Sequence, residues 1–569
     1  MNKVKKIRKF LKPLMIDGYI IPKNDEYFNE YVSPSNDRLK FISNFSGSAG
    51  FAIILKNKNY LFIDGRYTIQ ARIQSGKIFK IVTIPEKLPK DVLKHQKKLK
   101  IGFDPKLHNK AQLNFFFNIE NIVLVPIKQN LVDIVWSKKP KDLIKPFFSL
   151  SKKDAGLSWQ NKITKVKNIL SKNSADYLLV TAPENVAWIL NIRGHDSSFS
   201  PIPNARLLIN SKGNIDLFTK LQKIKKIKKI FFSKIKFYDE SKIDKKLLSL
   251  EKNNIWLDSL SCSVHYKNLL KKRNTIIEKI DPIYFFKSIK NPTEIKNMKK
   301  IHIIDGVALT KFLFWLKKNF KNNKITEISA QKKLENFRRM NKTYKFPSFN
   351  TISSAGPNSA IIHYNASIKS NRKLNKGDLY LVDSGGQYYF GTTDVTRTIS
   401  LDNKSKFVKE IYTRVLKGHI AVSNYVIKKN SKGSEIDHNA RKFLKKIKLD
   451  YPHGTGHGVG YFLNVHEGPQ SFSKKNKVNL KSGMVISNEP GYYKEGLFGI
   501  RIENLIYIKK NKFEELTVAP MDKDLIEKTM LNKKEMGWLN KYHNKVKRNL
   551  SKFMNIEEKA KLIDACSPI

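Results

Sequence analysis

Between residues 383 and 503, acidic side chains follow short apolar runs. Asp383 ends LYLVD, and Asp394 follows in YYFGTTDVTRT. Glu489 comes after VISN, and Glu503 comes after GIRI. Carboxylates that share oxygens between two nearby divalent cations hold those cations, and such pairs activate a water molecule for attack on a carbonyl carbon. The set therefore predicts a two-metal hydrolytic site.

Histidines accompany these carboxylates in glycine-rich sequence. HGTGHGVG contains His453 and His457, and NVHEGP contains His466. One imidazole among several carboxylates suits Mn²⁺, Co²⁺, Zn²⁺ or Fe²⁺ without selecting among them. A single Asp at a strand end is usually a turn residue, and a single His beside glycines is usually a loop residue. The interpretation as a metal site rests on the ordered combination.

The backbone must bring the two aspartates to one point. Asp383 and Asp394 are separated by an odd number of positions, so on one flat strand their side chains would face opposite ways. Gly385 and Gly386 permit a bend, and we expect a bend or bulge that places the two aspartates on paired strands. Both glutamates are expected at strand ends, pointing into a buried site.

Alternating strand and helix signals predict α/β layers in the first half of the chain. Strands are expected at 17–22, 50–56 and 59–64, and a linker at 136–148. The segment 175–194 resembles 18–50, which indicates a weak internal repeat. A long helix is expected to start near Asn291, and two helices are expected within 515–569. The apolar face of the long helix contains Ile301, Ile304, Ala308, Phe312 and Trp315.

The composition is that of a folded protein with several cores, since the chain has 569 residues of which 40% are hydrophobic. Cys262 and Cys566 have no CxxC partner, which argues against a disulfide framework or a thiolate metal site and favours a reducing, cytoplasmic compartment. The basic N-terminus lacks a secretory apolar core, and no apolar run is long enough to span a membrane. We expect a soluble protein.

The formal net charge is +59, and lysine is spread through every segment. This distribution favours a general surface excess over a specific nucleic-acid or membrane partner, because nucleic-acid readers concentrate arginine and aromatic residues on one face. The densest runs, 93–100 and 220–230, are expected to be solvated faces. Non-specific binding to polyanions is still expected at low salt.

Together, VDSGG…TTDVTRT, HGTGHGVG, NVHEGP, SNEPGYY and GIRIEN resemble the metallopeptidases of the pita-bread fold. With IIHYNA, NLVDIVW, DGRYTIQA and the tail LTVAPMDKDLIE, nearly the whole chain is similar to the long, three-domain aminopeptidases P. The resemblance implies an α/β (α+β) fold in four parts. These are creatinase-like N-terminal domain I (1–150), creatinase-like domain II (151–290), a pita-bread catalytic domain (291–512) and a C-terminal helical extension (513–569).

The resemblance also implies roles for single residues. Asp383 would bind one metal, Asp394 and Glu503 would bridge both, and His457 and Glu489 would bind the other. Glu489 would also act as general base. His363 (in IIHYNA), His453 and His466 would be catalytic or would line the substrate pocket. Arg501 and Arg66 would contact the substrate or support the metal ligands.

The implied reaction is hydrolysis of the N-terminal Xaa-Pro bond of peptides by a hydroxide activated by two divalent cations, Mn²⁺ first, with Zn²⁺ and Co²⁺ as alternatives. A homodimer is implied as well. The nearest alternative is a prolidase of the same fold, which usually has one N-terminal domain rather than two. Methionine aminopeptidases are much shorter, whereas creatinases and the non-catalytic histone-chaperone relatives lack the metal ligands. A polyanion-binding protein is the remaining alternative, and only the net charge favours it.

Overall fold

The computed structural model describes residues 3–227, 234–322 and 324–569, which form two units. One contains the chain up to Ser151 together with Leu157–Tyr284, and the other contains Lys152–Gly156 together with Phe285–Ile569. The predicted four-part division stays a prediction.

The first segment folds around one six-stranded sheet. Its strands are β1 (Gly18–Pro22), β2 (Gly50–Leu55), β3 (Asn59–Asp64), β4 (Lys80–Ile84), β5 (Leu99–Phe103) and β6 (Ile122–Pro126). Its helices are α1 (Lys3–Arg8), α2 (Arg38–Ser43), α3 (Thr68–Ser75), α4 (Pro89–Leu93), α5 (Lys110–Phe117) and α6 (Leu131–Val135). The strand order is β4-β3-β2-β1-β5-β6, and apolar clusters cover both faces of the sheet. Burial on both faces explains why β2 and β3 are continuous apolar runs.

The next segment folds around a second six-stranded sheet. The strands of this sheet are β8 (Tyr177–Val180), β10 (Arg206–Asn210), β11 (Ile215–Thr219), β12 (Ile235–Asp239), β13 (Asn254–Leu257) and β14 (Thr275–Glu278). Two short strands, β7 (Phe148–Ser149) and β9 (Ile192–Arg193), pair separately with each other. The helices are α7 (Lys152–Ala155), α8 (Trp159–Lys172), α9 (Pro183–Leu190), α10 (Ile243–Leu248), α11 (Val264–Leu270) and α12 (Pro282–Ser288).

The two sheets share one pairing pattern. Across β4-β3-β2-β1-β5-β6 the pairs are parallel, antiparallel, antiparallel, parallel and parallel. The order β12-β11-β10-β8-β13-β14 repeats that sequence of pairings. Strands β1 and β8 occupy the same place, so the weak sequence repeat between 18–50 and 175–194 corresponds to a repeated architecture.

The basic runs are only partly solvated. Residues 94–98 are exposed, as expected. In the run 220–230, Lys225 and Lys226 are exposed, but Lys223 is buried and its Nζ lies 2.7 Å from Asp196 Oδ1. Residues 228–230 of this run lie outside the described residues. The interpretation of the run as one solvated face is therefore wrong at Lys223, because a buried carboxylate pairs with it.

The second unit packs long helices against several small antiparallel sheets. Its helices are α13 (Pro292–Asn319), α14 (Glu327–Arg339), α15 (Lys406–Ser423), α16 (Gly433–Lys445), α17 (Lys533–Leu550) and α18 (Ile556–Ala565). Its strands are β15 (Tyr344–Pro347), β16 (Ile352–Ala355), β17 (Leu379–Ser384), β18 (Gly386–Tyr388), β19 (Gly391–Thr392), β20 (Val395–Ser400), β21 (Gly456–Gly458), β22 (Glu467–Phe472), β23 (Val485–Asn488), β24 (Gly491–Lys494), β25 (Phe498–Arg501), β26 (Asn504–Lys509) and β27 (Lys512–Glu515).

Helix α13 begins where the sequence predicts. Asn291 and Glu294 form a reciprocal capping box, and Pro292 occupies the first turn. Along the predicted apolar face, Ile301, Ala308 and Phe312 are buried. Phe312 belongs to a cluster with Tyr380 of β17 and Ile399 of β20, so this helix backs the strands that bear the aspartates.

The described residues contain no helix that is both long and apolar enough to cross a membrane. Cys262 and Cys566 are buried free thiols.

Helices α15 and α16 approach closely at Gly418. A Cβ added there would lie 2.4 Å from Ala440 O. We expect Gly418→Ala to destabilise the protein by about 1–3 kcal/mol, because the helices must separate. Gly537 of α17 is the matched control, since a Cβ there would meet nothing within 4 Å. Gly537→Ala should stabilise by roughly 0.5–1 kcal/mol. Thermal unfolding of the full chain measures both, and equal shifts would contradict the packing argument.

Candidate metal centre

Strands β17 and β20 place the two aspartates. They pair antiparallel, with Asp383 opposite Thr396. Asp394 lies two residues before Thr396, so an extended backbone turns it towards the same face as Asp383. The intervening bend depends on Gly385, where a Cβ would lie 1.9 Å from Thr393 O. The hairpin of β18 and β19 fills the bend.

Strands β23 and β26 place the two glutamates. Their antiparallel register pairs Asn488 with Asn504. Glu489 follows the first of these residues and Glu503 precedes the second, so the two glutamates lie at the same end of the ladder. Glu489 N donates to Thr455 O at 2.8 Å, and Glu503 N donates to Thr396 O at 3.2 Å. The second of these bonds joins the aspartate strands to the glutamate strands.

His457 lies between the carboxylates. It is part of the short strand β21, at a β-bulge, rather than in a free loop. Its Nε2 is 3.4 Å from Asp394 Oδ2 and 3.5 Å from Glu489 Oε1. Its Nδ1 lies 2.9 Å from Gly458 O, which accepts the Nδ1 proton and directs Nε2 to the carboxylates. Gly456 allows the close strand approach, since a Cβ there would lie 1.8 Å from Ser487 O.

Arg501 supports the cluster from behind. Its Nη2 donates to Asp383 Oδ2 at 2.6 Å, and its Nε donates to Thr396 Oγ1 at 3.1 Å. Thr396 Oγ1 in turn donates to Glu503 Oε2 at 2.7 Å. One guanidinium therefore connects an aspartate and a glutamate through the hydroxyl of Thr396, a residue that the sequence analysis did not select.

Tyr493 is a second residue that sequence reasoning missed. Its hydroxyl accepts from Arg501 Nη1 at 2.6 Å and lies 2.9 Å from His453 Nε2. The hydroxyl keeps its own proton, which it donates to His453 Nε2 when the ring proton of the neutral imidazole lies on Nδ1. His453 Nδ1 then donates to Gly454 O at 2.7 Å. Tyr493 belongs to the motif SNEPGYY, but nothing in that motif distinguishes it from Tyr492.

The other predicted histidines differ in their surroundings. His466 is exposed, and its ring packs edge-on against that of His457 at a centroid distance of 4.4 Å. His363 is partly buried in the loop after β16. That loop is fixed by Glu327, which accepts from Tyr364 Oη at 2.7 Å. The catalytic roles assigned to these histidines from the sequence stay predictions.

Arg66 is the one predicted site residue outside the second unit. It follows β3, and its Nε donates to Asp64 Oδ1 at 2.7 Å. Its predicted contact with substrate stays a prediction.

Burial, reinforced by the crowding of like charges, dominates the electrostatics of the cluster. Burial, followed by the charge of Asp394 and then that of Glu489, raises the pKa of Glu503 well above its ordinary value. Burial raises the pKa of Asp383 to about 7, although Arg501 opposes the shift. Burial alone would lower the pKa of His457, but the neighbouring carboxylates outweigh it and raise that pKa to about 9. A bound cation would favour the ionised form of both carboxyls and so oppose the shifts that burial and like charge cause.

The cluster meets the requirements of a cation site. Within the described residues, one ligand atom each from Asp394, His457 and Glu503 lies within 4.8 Å of the others. Asp383 Oδ1 and Asp394 Oδ1 are buried and accept no hydrogen bond from any described residue. Leaving buried carboxylate oxygens without donors is costly, and divalent cations satisfy such oxygens. The residues therefore fit a metal centre.

Family models account for most of the chain. Residues 296–510 match Metallopeptidase family M24, and residues 510–569 match the C-terminal region of peptidase M24. Residues 3–132 and 138–294 each match a Creatinase/Prolidase N-terminal domain. These matches confirm the predicted fold class, with two creatinase-like domains before a pita-bread catalytic domain.

Individual relatives agree. The chain is 38% identical to Xaa-Pro aminopeptidase 1 of Dictyostelium discoideum, over 96% of this chain and 92% of the relative. The crystal structure of X-prolyl aminopeptidase from Caenorhabditis elegans, described as a cytosolic enzyme with a di-nuclear active site, matches with a TM-score of 0.94 at 29% identity. The match covers 100% of this chain and 99% of the Caenorhabditis elegans chain. Prolidase from Pyrococcus horikoshii matches with a TM-score of 0.53 at 28% identity, over 63% of this chain and 99% of its own.

The crowding gives a prediction for Glu503→Gln. A carboxyl whose pKa is raised by folding destabilises the fold as pH rises above its unfolded pKa. We expect the metal-free variant, kept in EDTA, to unfold at a higher temperature than the parent, with a larger gain at pH 8 than at pH 5. Added Mn²⁺ should stabilise the parent by about 2.7 kcal/mol at a hundred times its Kd, and should stabilise the variant far less.

Glu495→Gln is the control, because Glu495 is exposed and lies outside the cluster. It should change neither the metal-free unfolding temperature nor the response to Mn²⁺. A metal-free Glu503→Gln protein less stable than the parent would contradict the account of charge crowding.

Proposed function

The chain belongs to metallopeptidase family M24, in its Xaa-Pro aminopeptidase branch, and on this premise we propose that it hydrolyses the N-terminal Xaa-Pro bond of peptides with divalent cations. The observation that carries the proposal is the buried cluster of four carboxylates and one imidazole at the strand ends. Prolidase is the other candidate, but the solved prolidase matches only 63% of this chain.

Five side chains would hold the cations: Asp383, Asp394, His457, Glu489 and Glu503. When bound, two such cations polarise the scissile carbonyl and lower the pKa of the attacking water. The protein's own part is to hold these ligands in place and to supply groups that accept and donate protons.

Glu489 is the carboxylate best placed to accept a proton. Its side chain is 18% exposed, whereas Glu503 is 1% exposed. Ser487 Oγ donates to Glu489 Oε1 at 3.1 Å and so orients the carboxylate. A general base must reach both solvent and the reacting group. We therefore assign Glu489 as the base, and Glu503 as a ligand only.

His453 and His466 also receive different roles. Both ring nitrogens of His453 are engaged, with Tyr493 and with Gly454, so we assign it the part of holding Tyr493. His466 is exposed beside His457, where it can donate a proton to the oxygen that gains charge in the tetrahedral intermediate.

Proline in the second position of the substrate makes a specialised enzyme worthwhile. The scissile amide then has no N–H, and the ring fixes φ of the proline. A peptidase that recognises an ordinary amide therefore fits this bond poorly, whereas a pocket shaped for the ring selects it.

The finer proposals are Mn²⁺ as the metal, a homodimer, the cytoplasm as compartment, and no specific nucleic-acid or membrane partner. The structural relative from Caenorhabditis elegans is described as cytosolic, which supports the compartment. The predicted domain boundaries and the part of Arg66 remain proposals as well.

The test is release of the first residue from Arg-Pro-Pro, beside Arg-Ala-Ala and the dipeptide Ala-Pro, with and without Mn²⁺. We expect cleavage of Arg-Pro-Pro that depends on the metal, and little cleavage of Arg-Ala-Ala. Cleavage of Ala-Pro alone would identify a prolidase. Failure to cleave any of the three with Mn²⁺, Co²⁺ or Zn²⁺ would refute the proposed function.

His466→Ala should lower kcat for Arg-Pro-Pro by roughly 10²–10⁴-fold, because a positioned proton donor is lost. Bound metal, measured by elemental analysis, should not change, since His466 lies outside the ligand cluster. His438→Ala, an exposed histidine of α16, is the control and should leave both quantities unchanged. Loss of metal together with activity would assign His466 to the ligands instead.

A further inference from the structure

His419 of α15 and Asn488 of β23 form a reciprocal pair behind the glutamates. His419 Nδ1 donates to Asn488 O at 3.1 Å, and Asn488 Nδ2 donates to His419 O at 2.9 Å. Both residues are fully buried. The two bonds tie the backbone immediately before Glu489 to the C-terminal part of α15, a helix of 18 residues.

His419 Nδ1 faces the carbonyl of Asn488, which only accepts, so this bond is made with the ring proton on Nδ1. The carbonyl of Ile502 also lies near the buried ring. Burial lowers the pKa of His419 to about 3, so the ring is neutral. Trp538 of α17 packs edge-on against the imidazole at a centroid distance of 5.8 Å and holds its plane.

The same pair connects to the strand that bears Glu503. Asn488 Nδ2 also donates to Ser423 Oγ at 3.2 Å, and Ser423 Oγ donates to Glu515 Oε1 at 2.7 Å. The other oxygen of Glu515 accepts from Asn504 Nδ2 at 2.7 Å. Asn504 is the residue after Glu503 and the register partner of Asn488. The residues adjacent to both glutamates are therefore connected through one partly buried carboxylate, that of Glu515.

We propose that His419 and Asn488 are positioning residues, which hold Glu489 at a fixed place beside Glu503 before cations bind. The inference rests on the proposed function, because it takes both glutamates as metal ligands. Four carboxylates repel one another without cations, so a ligand on a loosely held strand end would move away from the cluster. Groups that orient metal ligands typically change metal affinity by 10–100-fold when removed.

A purely structural part for His419 is the competing explanation, and the chain contains a matched control. His543 of α17 is also fully buried and makes one bond to backbone, in which its Nε2 accepts from Met521 N at 3.2 Å. It makes no described contact with the ligands. His419→Phe and His543→Phe each replace one buried imidazole by a ring, so both should lower the unfolding temperature.

The experiment measures three quantities on the full chain: the Kd of Mn²⁺ by calorimetry, the unfolding temperature of the metal-free protein, and kcat and KM for Arg-Pro-Pro. We expect His419→Phe to weaken Mn²⁺ binding by roughly 10–100-fold and to lower kcat more than it changes KM. His543→Phe should keep the parental Kd and kcat. His419→Asn, whose Nδ2 can replace the imidazole Nδ1 as donor, should recover most of the metal affinity.

Parental Mn²⁺ affinity in His419→Phe would overturn the proposal, as would equal weakening in His543→Phe. If His419→Phe does not fold, Ser423→Ala serves as the milder variant. It removes the link from Asn488 to Glu515 and should weaken Mn²⁺ binding several-fold, and an unchanged Kd there would also overturn the proposal. A parent protein that binds Mn²⁺ but cleaves no peptide refutes the proposed function alone, because the affinity comparison still tests the positioning.

Discussion

Repulsion among four crowded carboxylates, three of them buried, is the constraint to which the catalytic unit is built. Asp383, Asp394, Glu489 and Glu503 come from four strand ends. The charges of Asp394 and Glu489 raise the pKa of both Asp383 and Glu503. A chain that relied on attraction among these side chains could not hold them together without cations. The backbone must therefore do so, through the register of β17 with β20 and of β23 with β26. Rigid strand ends carry the ligands because loops would let them separate.

A buried guanidinium supplies much of that rigidity. Arg397 is 1% exposed and donates to the backbone oxygens of Thr396 at 2.9 Å and Glu503 at 2.7 Å. It also donates to Ala519 O at 2.8 Å and to Tyr542 Oη of α17 at 2.9 Å. Within the described residues, no carboxylate lies in ion-pair range of it. Its bonds to the carbonyls of Thr396 and Glu503 and to the hydroxyl of Tyr542 join the strand ends of the cluster to α17.

Sequence reasoning selected the candidate ligands and one supporting residue, Arg501, but it missed the other groups that hold the cluster in place. The ligand carboxylates follow apolar runs, the bend between the aspartates needs glycine, and α13 has a local capping signal, so each could be predicted from neighbouring residues. Thr396, Tyr493 and His419 could not, because their partners lie far away along the chain. Arg397 belongs to the motif TTDVTRT, but the sequence around an arginine on a buried strand does not indicate which carbonyls it will bind. Supporting networks are set by tertiary contacts, and one sequence does not display them.

The net charge of +59 cannot substitute for these supporting groups. At physiological ionic strength, charges separated by more than about 8 Å of solvent are largely screened. Exposed lysines therefore contribute little to the potential at buried carboxylates, whatever their number. Only charges inside the same low-dielectric region act strongly, and Arg501 lies 2.6 Å from Asp383 while Arg397 lies behind Glu503. Arg501 therefore opposes the raised pKa of Asp383 and of Glu503 from inside the cluster, which the exposed lysines cannot do.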